Sequence, residues 1–230
     1  MKNVLICNNC KSENAFFAYH CSKCNAFLRT KVANIDLWET VTRLIDSPVK
    51  ADEKIIHSEN KNFVGSLLIL IAVKFSFILM ILHNGFYNTA GNSISFSSSF
   101  LSGGVGSVIL LSLTSFVITI INNTLGIKNR FKDNLAIYTY SFFPIIGALV
   151  VLSPIQYALF GEYWFTFNPS PLLIKPAASL ILFIIEALLL LWSGCLIIIS
   201  TYCQTRNRLY SIISGTIIFL IEIVFIIILL

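Results

Sequence analysis

The chain has 230 residues, of which 56% are hydrophobic and only 12% are charged. Long apolar runs in such a composition are typical of membrane proteins and exclude an ordinary soluble globular domain. The formal net charge is +5, but nine of the sixteen lysines and arginines lie in residues 1–61 together with seven acidic residues, and most of the others lie in short loops. The basic residues form no continuous stripe. The sequence therefore predicts no nucleic-acid partner.

Two cysteine pairs stand near the N-terminus, as Cys7-Asn-Asn-Cys10 and Cys21-Ser-Lys-Cys24. Two residues between the cysteines of a pair allow a tight turn to aim both sulfur atoms at one ion. The four thiolates predict a structural Zn²⁺ site in a zinc-ribbon head over residues 1–30. A head of this size cannot bury a large core, so the metal is expected to supply its folding free energy.

Two other interpretations of the cysteines remain open, namely a pair of disulfides or a redox-active C-x-x-C motif. Disulfides require an oxidising compartment, and a thioredoxin-like site requires a βαβ context that the sequence does not show. Four thiolates leave no open coordination position, so a catalytic metal is not predicted. Lys11 and Asn25 stand where a glycine usually follows each pair.

Residues 31–61 are predicted to form an amphipathic helical linker. Asn34 can cap a first helix that ends near Asp46, and Ser47-Pro48 then stops it and starts a second helix. The apolar arc of the first helix comprises Ile35, Leu37, Trp38, Val41, Leu44 and Ile45. Its acidic balance favours docking onto the bundle or at the interface over a lipid sensor, and the mixed charges after Pro48 predict a solvated lead-in.

Five apolar segments follow, each near or above the length needed to cross the hydrocarbon core. They lie at about 62–83, 100–121, 135–160, 177–199 and 209–229. The predicted fold is an all-α polytopic membrane domain over residues 62–230, with lipid bilayer as its surroundings. The third segment contains Pro144, Gly147 and Pro154, so we expect a kink or a non-helical end there.

The basic residues of the loops predict the orientation of the segments in the membrane. The loops at 122–134 and 200–208 carry lysine or arginine, whereas 84–99 carries none and 161–176 carries only Lys175. Positively charged loops stay inside, so the N-terminus is expected in the cytoplasm and the C-terminus at the outer face. No cleavable signal peptide is predicted ahead of the first segment.

Three ionisable residues fall within the apolar segments, namely Lys74, Glu186 and Glu222. A charge at this depth is costly, so we expect Lys74 to pair with one carboxylate while the other is held protonated. A structural ion pair is favoured over a proton or ion relay, because neither an intramembrane histidine nor a broken-helix repeat is evident. No catalytic motif accompanies these residues, so an enzyme is not predicted.

Two further patterns concern packing and the membrane interface. Gly103-Gly104-x-Gly106, at the start of the second segment, predicts close approach of neighbouring helices. Tyr163, Trp164, Phe165 and Phe167 are typical of an aromatic belt at the outer interface.

The arrangement resembles the Yip family of Ypt/Rab-interacting membrane proteins over roughly residues 35–230. The resemblance rests on Ser47-Pro48, on the five segments, on 133–144 (Asp-Asn-Leu-Ala-Ile-Tyr-Thr-Tyr-Ser-Phe-Phe-Pro), and on Glu186 followed by Leu191-Trp192. The version with a zinc ribbon resembles bacterial members, which implies a multi-pass protein of the inner membrane. Eukaryotic members imply vesicle traffic and small-GTPase association, but their Asp-Leu-Tyr-Gly-Pro motif is missing here.

The favoured interpretation is therefore a non-enzymatic membrane protein. Its head and linker, residues 1–61, are expected to bind a cytosolic protein while the bundle organises or shapes the bilayer or supports trafficking-like processes. The alternative is a small ion-coupled transporter or permease that uses Lys74, Glu186 and Glu222. A homo-oligomer is compatible with either interpretation.

Overall fold

The computed structural model describes residues 4–29, 35–87 and 94–230. Up to the second span its elements are β1 (Val4–Ile6), β2 (Glu13–Ala15), α1 (Leu37–Asp46), α2 (Pro48–His57), α3 (Val64–Tyr87), α4 (Phe96–Ser99) and α5 (Gly106–Thr124). They continue with α6 (Phe131–Ser141), α7 (Phe143–Gly147), α8 (Ser153–Phe160), α9 (Tyr163–Thr166), α10 (Pro171–Ile174), α11 (Pro176–Thr205) and α12 (Arg208–Ile228). The predicted fold class, an all-α membrane domain behind a small cysteine-containing head, is confirmed.

The head is built on a two-stranded antiparallel hairpin. β1 pairs with β2 so that Val4 lies opposite Ala15 and Ile6 lies opposite Glu13. After each cysteine pair the chain turns through a left-handed residue, Lys11 and then Asn25, both with φ of 56°. These are the positions at which a glycine is usual, and Asn tolerates this backbone region better than Lys does.

Helices α1 and α2 follow the head and differ from the predicted linker in two respects. Asp36 caps α1 by accepting a hydrogen bond from the Glu39 amide at 2.9 Å, while the expected cap Asn34 lies outside the described residues. The expectation of a solvated lead-in is wrong for α2, because Ala51, Asp52, Ile55 and Ile56 are buried. The mixed charges that suggested solvation lie on the other positions of this helix.

The described residues contain five helical segments long and apolar enough to cross a membrane. They are Val64–Phe86, Phe96–Thr124, Phe143–Phe160, Pro176–Thr205 and Arg208–Ile228. The five predicted spans are therefore confirmed. The third begins later than expected, because the predicted segment is divided into α6 and the helices after it.

The third span is interrupted near its prolines, as the sequence predicts. Helix α6 ends at Ser141, and Pro144 lies in the first turn of α7. A π-helical turn, Ala148–Leu152, then leads into α8, whose first turn contains Pro154. Proline lacks the amide hydrogen that a continuous helix requires, which explains why these breaks occur here.

The glycine-rich start of the second span packs closely against its neighbours, as predicted. A Cβ atom at Gly104 would lie 2.5 Å from the Ala72 carbonyl oxygen of α3. A Cβ atom at Gly106 would lie 2.6 Å from the Phe225 ring of α12. The contact at Gly104 is with backbone, so only glycine allows the approach of α3, whereas a side chain at Gly106 would require the Phe225 ring of α12 to move.

The predicted aromatic belt is wrong for Trp164. This side chain is completely buried, and its ring stacks on Phe183 with ring centroids 4.6 Å apart. Phe160 packs against it with a centroid distance of 5.2 Å. Tyr163, by contrast, is 40% exposed and fits a position at an interface.

Contacts within the chain divide it into two compact units. The first comprises Met1–Val64, Ser112–Ser141 and Cys195–Ile218, and the second comprises Gly65–Leu111, Phe142–Gly194 and Phe219–Leu230. The cysteines, α1 and α2 belong to the first unit. The three predicted intramembrane charges all belong to the second.

Candidate metal centre and buried polar clusters

The four cysteines of the head lie together, with all sulfur atoms within 4.8 Å of one another. Cys7 Sγ is 3.6 Å from Cys24 Sγ, and Cys10 Sγ is 3.4 Å from Cys21 Sγ. A tetrahedral ion with metal–sulfur bonds of about 2.3 Å separates its sulfur ligands by about 3.8 Å. The arrangement is therefore suited to one metal ion, and none of the four thiols is in a disulfide.

Polar groups around Cys10 Sγ and Cys21 Sγ favour the thiolate form of these two residues. The Ser12 hydroxyl lies 3.0 Å from Cys10 Sγ and 3.1 Å from Cys21 Sγ, and the Lys23 amide donates to Cys21 Sγ at 3.4 Å. Led by the Ser12 hydrogen bond, these contacts lower the pKa of Cys21 to about 5. A thiolate is the form that binds a metal, so the surroundings are consistent with the donor set.

Arg29 attaches the head to α2. Its guanidinium donates to the carbonyl oxygens of Phe16 at 2.8 Å and Ala18 at 3.1 Å, and to that of His57 at 3.4 Å. The Phe16 ring also lies against the His57 ring, with centroids 4.6 Å apart. Burial first, and then the nearby Arg29 and Lys61 charges, lower the pKa of His57 to about 4.

Two further arginines hold the aromatic side of the head. Arg130 lies over the Phe17 ring at 4.4 Å, and Arg206 lies 5.9 Å from the centre of the Phe16 ring. Arg206 also forms an ion pair with Glu53 of α2. Both arginines come from the two basic loops between the spans, and these contacts give them a role in packing the head.

Asp52 is a completely buried carboxyl that the sequence reading did not identify. Its Oδ2 accepts a hydrogen bond from Ser200 at 2.9 Å, and Ser200 lies 2.9 Å from the hydroxyl of Ser141. Its other oxygen has no hydrogen-bond partner among the described residues. Burial raises the pKa of Asp52 well above its usual range, which favours a neutral acid.

A second buried carboxylate, that of Asp133, is paired instead. Lys61 Nζ lies 2.8 Å from Asp133 Oδ1, and Arg130 Nε lies 2.7 Å from Asp133 Oδ2. Burial lowers the pKa of Lys61 to about 8, although the Asp133 charge acts in the opposite direction. This cluster joins the segment before α3 to the start of α6 within the first unit.

In the second unit, Lys74 of α3 forms an ion pair with Glu186 of α11. The Lys74 side chain is only 2% exposed, and that of Glu186 is 15% exposed. Gln156 of α8 donates to the same carboxylate oxygen at 2.9 Å. The structure thus brings together two of the three charges singled out in the sequence and adds an amide from the third span.

Glu222 of α12 is not brought to this pair by any hydrogen bond in the described part of the chain. Its side chain is buried, and neither carboxylate oxygen has a hydrogen-bond partner there. An ionised carboxylate is very costly in such surroundings, so the neutral acid is the form that the site favours.

A family model for the Yip1 domain matches residues 42–230. The chain belongs to the Yip1 domain family. No curated protein and no solved structure matches it. The Yip1 match begins within α1, so the metal centre stands outside the matched residues, whereas Asp52, Asp133 and all three intramembrane charges stand inside them.

Three buried polar residues of the Yip1 domain, Asp52, Ser141 and Ser200, were not predicted from the sequence. Asp52 stands between buried neighbours on the apolar side of α2, next to Ala51 and four residues before Ile56. A carboxylate among apolar helix positions is a detectable signal of a buried acid. Ser141 and Ser200 gave no such signal, because serine is common in membrane helices.

Proposed function

We propose that this Yip1-domain chain is a non-enzymatic membrane protein of the bacterial inner membrane, with its N-terminus in the cytoplasm. Its zinc-ribbon head and amphipathic helix α1 bind a cytosolic protein, and its bundle organises or shapes the bilayer. The multi-pass architecture and the family membership support the membrane role. The loop charges support the orientation.

In this proposal Cys7, Cys10, Cys21 and Cys24 hold one Zn²⁺ ion. Bound to four thiolates, the ion supplies folding free energy to a head that has little apolar core of its own. Three arginines of the chain position the head. Arg29, Arg130 and Arg206 fix the folded head against α2 and the neighbouring loops, so that its surface is presented in one orientation.

The observation that carries the proposal is the exposure of large apolar side chains on the head and on α1. Trp38 is 77% exposed, Phe27 69%, Ile6 63% and Ile45 56%. Trp38 and Ile45 are seven residues apart and lie on one stripe of α1, whereas Val41 and Leu44 of the same helix are buried. Exposed aromatic and branched side chains outside the spans are typical of a protein-binding surface.

The proposal is tested by chemical cross-linking and affinity purification of the intact protein from membranes. A partner recovered with the natural chain should be lost with Trp38→Ala and with a variant in which all four cysteines are serine. Lys50→Ala changes another exposed residue of the same region and should retain the partner. The proposal fails if the Trp38 and cysteine variants recover the same proteins as the natural chain.

The second candidate is ion-coupled transport. The buried Glu222 carboxyl favours it, because it has no hydrogen-bond partner within the part of the chain that the structure describes. A buried acid in the same unit as the Lys74–Glu186 pair offers a second group that can exchange protons. Purified protein in liposomes should then show proton flux that Glu186→Gln or Glu222→Gln abolishes while the fold stays intact. Flux that is absent or unchanged would exclude this candidate and leave the interaction role.

A further inference from the structure

An apolar groove of about 430 Å³ runs along the second unit between α3, α11 and α12. Its wall on α3 extends from Phe75 to Phe86, and its wall on α12 extends from Ile223 to Leu230. Leu190 of α11 completes it, and no polar atom contributes to its lining. These helices belong to three of the five spans, and the lining residues Phe86 and Ile227 are exposed, so the groove opens to the outer surface of the spans.

The groove has the length of one membrane leaflet. Phe75 lies at the middle of the first span and Phe86 at its end, a distance of about 16 Å at 1.5 Å per residue. Half of a hydrocarbon core is about 15 Å thick. The α12 wall likewise occupies the second half of its helix, so the groove extends from mid-depth to one interface.

The width of the groove shows whether a helix or a single hydrocarbon chain can occupy it. A volume of about 430 Å³ over about 16 Å gives a mean cross-section of about 27 Å². A helix 10 to 12 Å across needs a cross-section of about 80 Å² or more, so a helix of a second copy does not fit inside the groove. A single extended hydrocarbon chain does fit.

We propose that this groove binds one acyl chain of a membrane lipid lengthwise, in the leaflet where α3 ends. The loop charges predict that this is the outer leaflet. Because the lining is wholly apolar, the chain is recognised by its shape and length, and the headgroup contributes little. The bound chain fills space that would otherwise leave the groove residues without packing partners.

This inference is independent of the cytosolic partner and can be tested separately. The full chain, purified and stripped of lipid, is titrated with phosphatidylglycerol carrying 16-carbon chains, and bound lipid is counted by native mass spectrometry. We expect one lipid per chain at low lipid concentration. Phosphatidylethanolamine with the same chains should bind equally, and a clear preference for one headgroup would overturn the proposal.

Groove-filling variants locate the bound lipid. Ile78→Trp and Ile227→Trp place an indole in the groove from α3 and α12 and should abolish the tightly bound lipid. Ile69→Trp and Leu220→Trp place the same ring at exposed positions outside the groove on the same two helices and should retain it. Ile227 is itself exposed, so its variant is expected to fold even if Ile78→Trp does not.

Retention of the lipid by Ile227→Trp would overturn the proposal. The same holds if Ile227→Trp dissociates a dimer of the natural chain without changing the count of bound lipid, because the groove would then be a contact between copies.

Discussion

Buried carboxyl groups are the residues whose chemistry most depends on their surroundings in this protein. Asp133 forms ion pairs with Lys61 and Arg130, whereas Asp52 accepts a hydrogen bond from the Ser200 hydroxyl and is favoured as a neutral acid. Glu186 and Glu222 repeat this contrast within the spans: Glu186 is paired with a lysine, and Glu222 has no hydrogen-bond partner among the described residues. Charge pairing, rather than depth alone, separates the two kinds of site.

Asp52→Asn should change how stability depends on pH. The folded state raises the pKa of Asp52, so above about pH 4 the unfolded chain releases a proton that the folded chain keeps. Stability is therefore highest below the unfolded pKa and falls as the pH rises toward the folded pKa. Asp52→Asn removes this loss, so its gain in unfolding temperature over the natural chain should be larger at pH 8 than at pH 4.

The exposed carboxylate Asp46 provides the control, since Asp46→Asn should have little effect at either pH. A loss of stability in Asp52→Asn that grows with pH would mean that the folded protein holds Asp52 as an anion.

Lys74→Met should strongly destabilise the second unit. Removing the lysine leaves the Glu186 carboxylate, which is 15% exposed, without its countercharge; this costs about 3 to 5 kcal/mol in fully buried pairs and less at a partly exposed one. Replacing both partners, as Lys74→Met with Glu186→Leu, removes the charge as well and should recover much of the loss. Thermal unfolding of the detergent-purified variants measures both effects, and a stable Lys74→Met single variant would contradict a structural ion pair.

At the scale of the elements, the helices are held by close backbone approach in one place and by side-chain docking in another. A π-helical segment before α5, Phe100–Val105, carries Gly103 and Gly104 against α3. Helix α2 instead docks through buried isoleucines and through Arg206 and Arg29. The first kind of contact tolerates no added atom, while the second depends on charge and aromatic packing.

Gly104→Ala should destabilise the protein by about 1 to 3 kcal/mol, because overpacking forces the helices apart. The added Cβ atom would meet the Ala72 carbonyl oxygen at 2.5 Å, and backbone cannot move aside easily. Gly65→Ala, in the first turn of α3, meets nothing within 4 Å and should be neutral or stabilising. Unfolding in detergent compares the two variants, and equal effects would argue against the close approach.

The sequence predicts the elements better than it predicts their surroundings. The five spans, the kink at Pro144 and the glycine contacts follow from apolar length, a missing amide and a missing side chain, all of which are local properties. The burial of α2 and of Trp164 does not follow, because amphipathic and aromatic patterns do not say which neighbour will cover them. The same holds for the choice of Glu186 over Glu222 as the partner of Lys74.

At the scale of the whole molecule, the chain combines a Yip1 domain with a cysteine-based head that precedes the matched residues. The head is joined to α2 and to two basic loops by the three arginines, so the proposed metal and the docking surface depend on each other. Loss of the metal should therefore destabilise the docking of α2 as well as the fold of the head. The bundle has its own apolar packing and should persist without the metal.

Hydrogen exchange of the intact protein in lipid nanodiscs, before and after removal of zinc by a chelator, tests this account most directly. We predict one zinc ion per chain before chelation, and a large increase in exchange over residues 4–29 and α2 after it. Exchange within the five spans should stay unchanged, and the variant with four serines should match the chelated protein. A head that contains no metal, or that exchanges equally before and after chelation, would contradict the account.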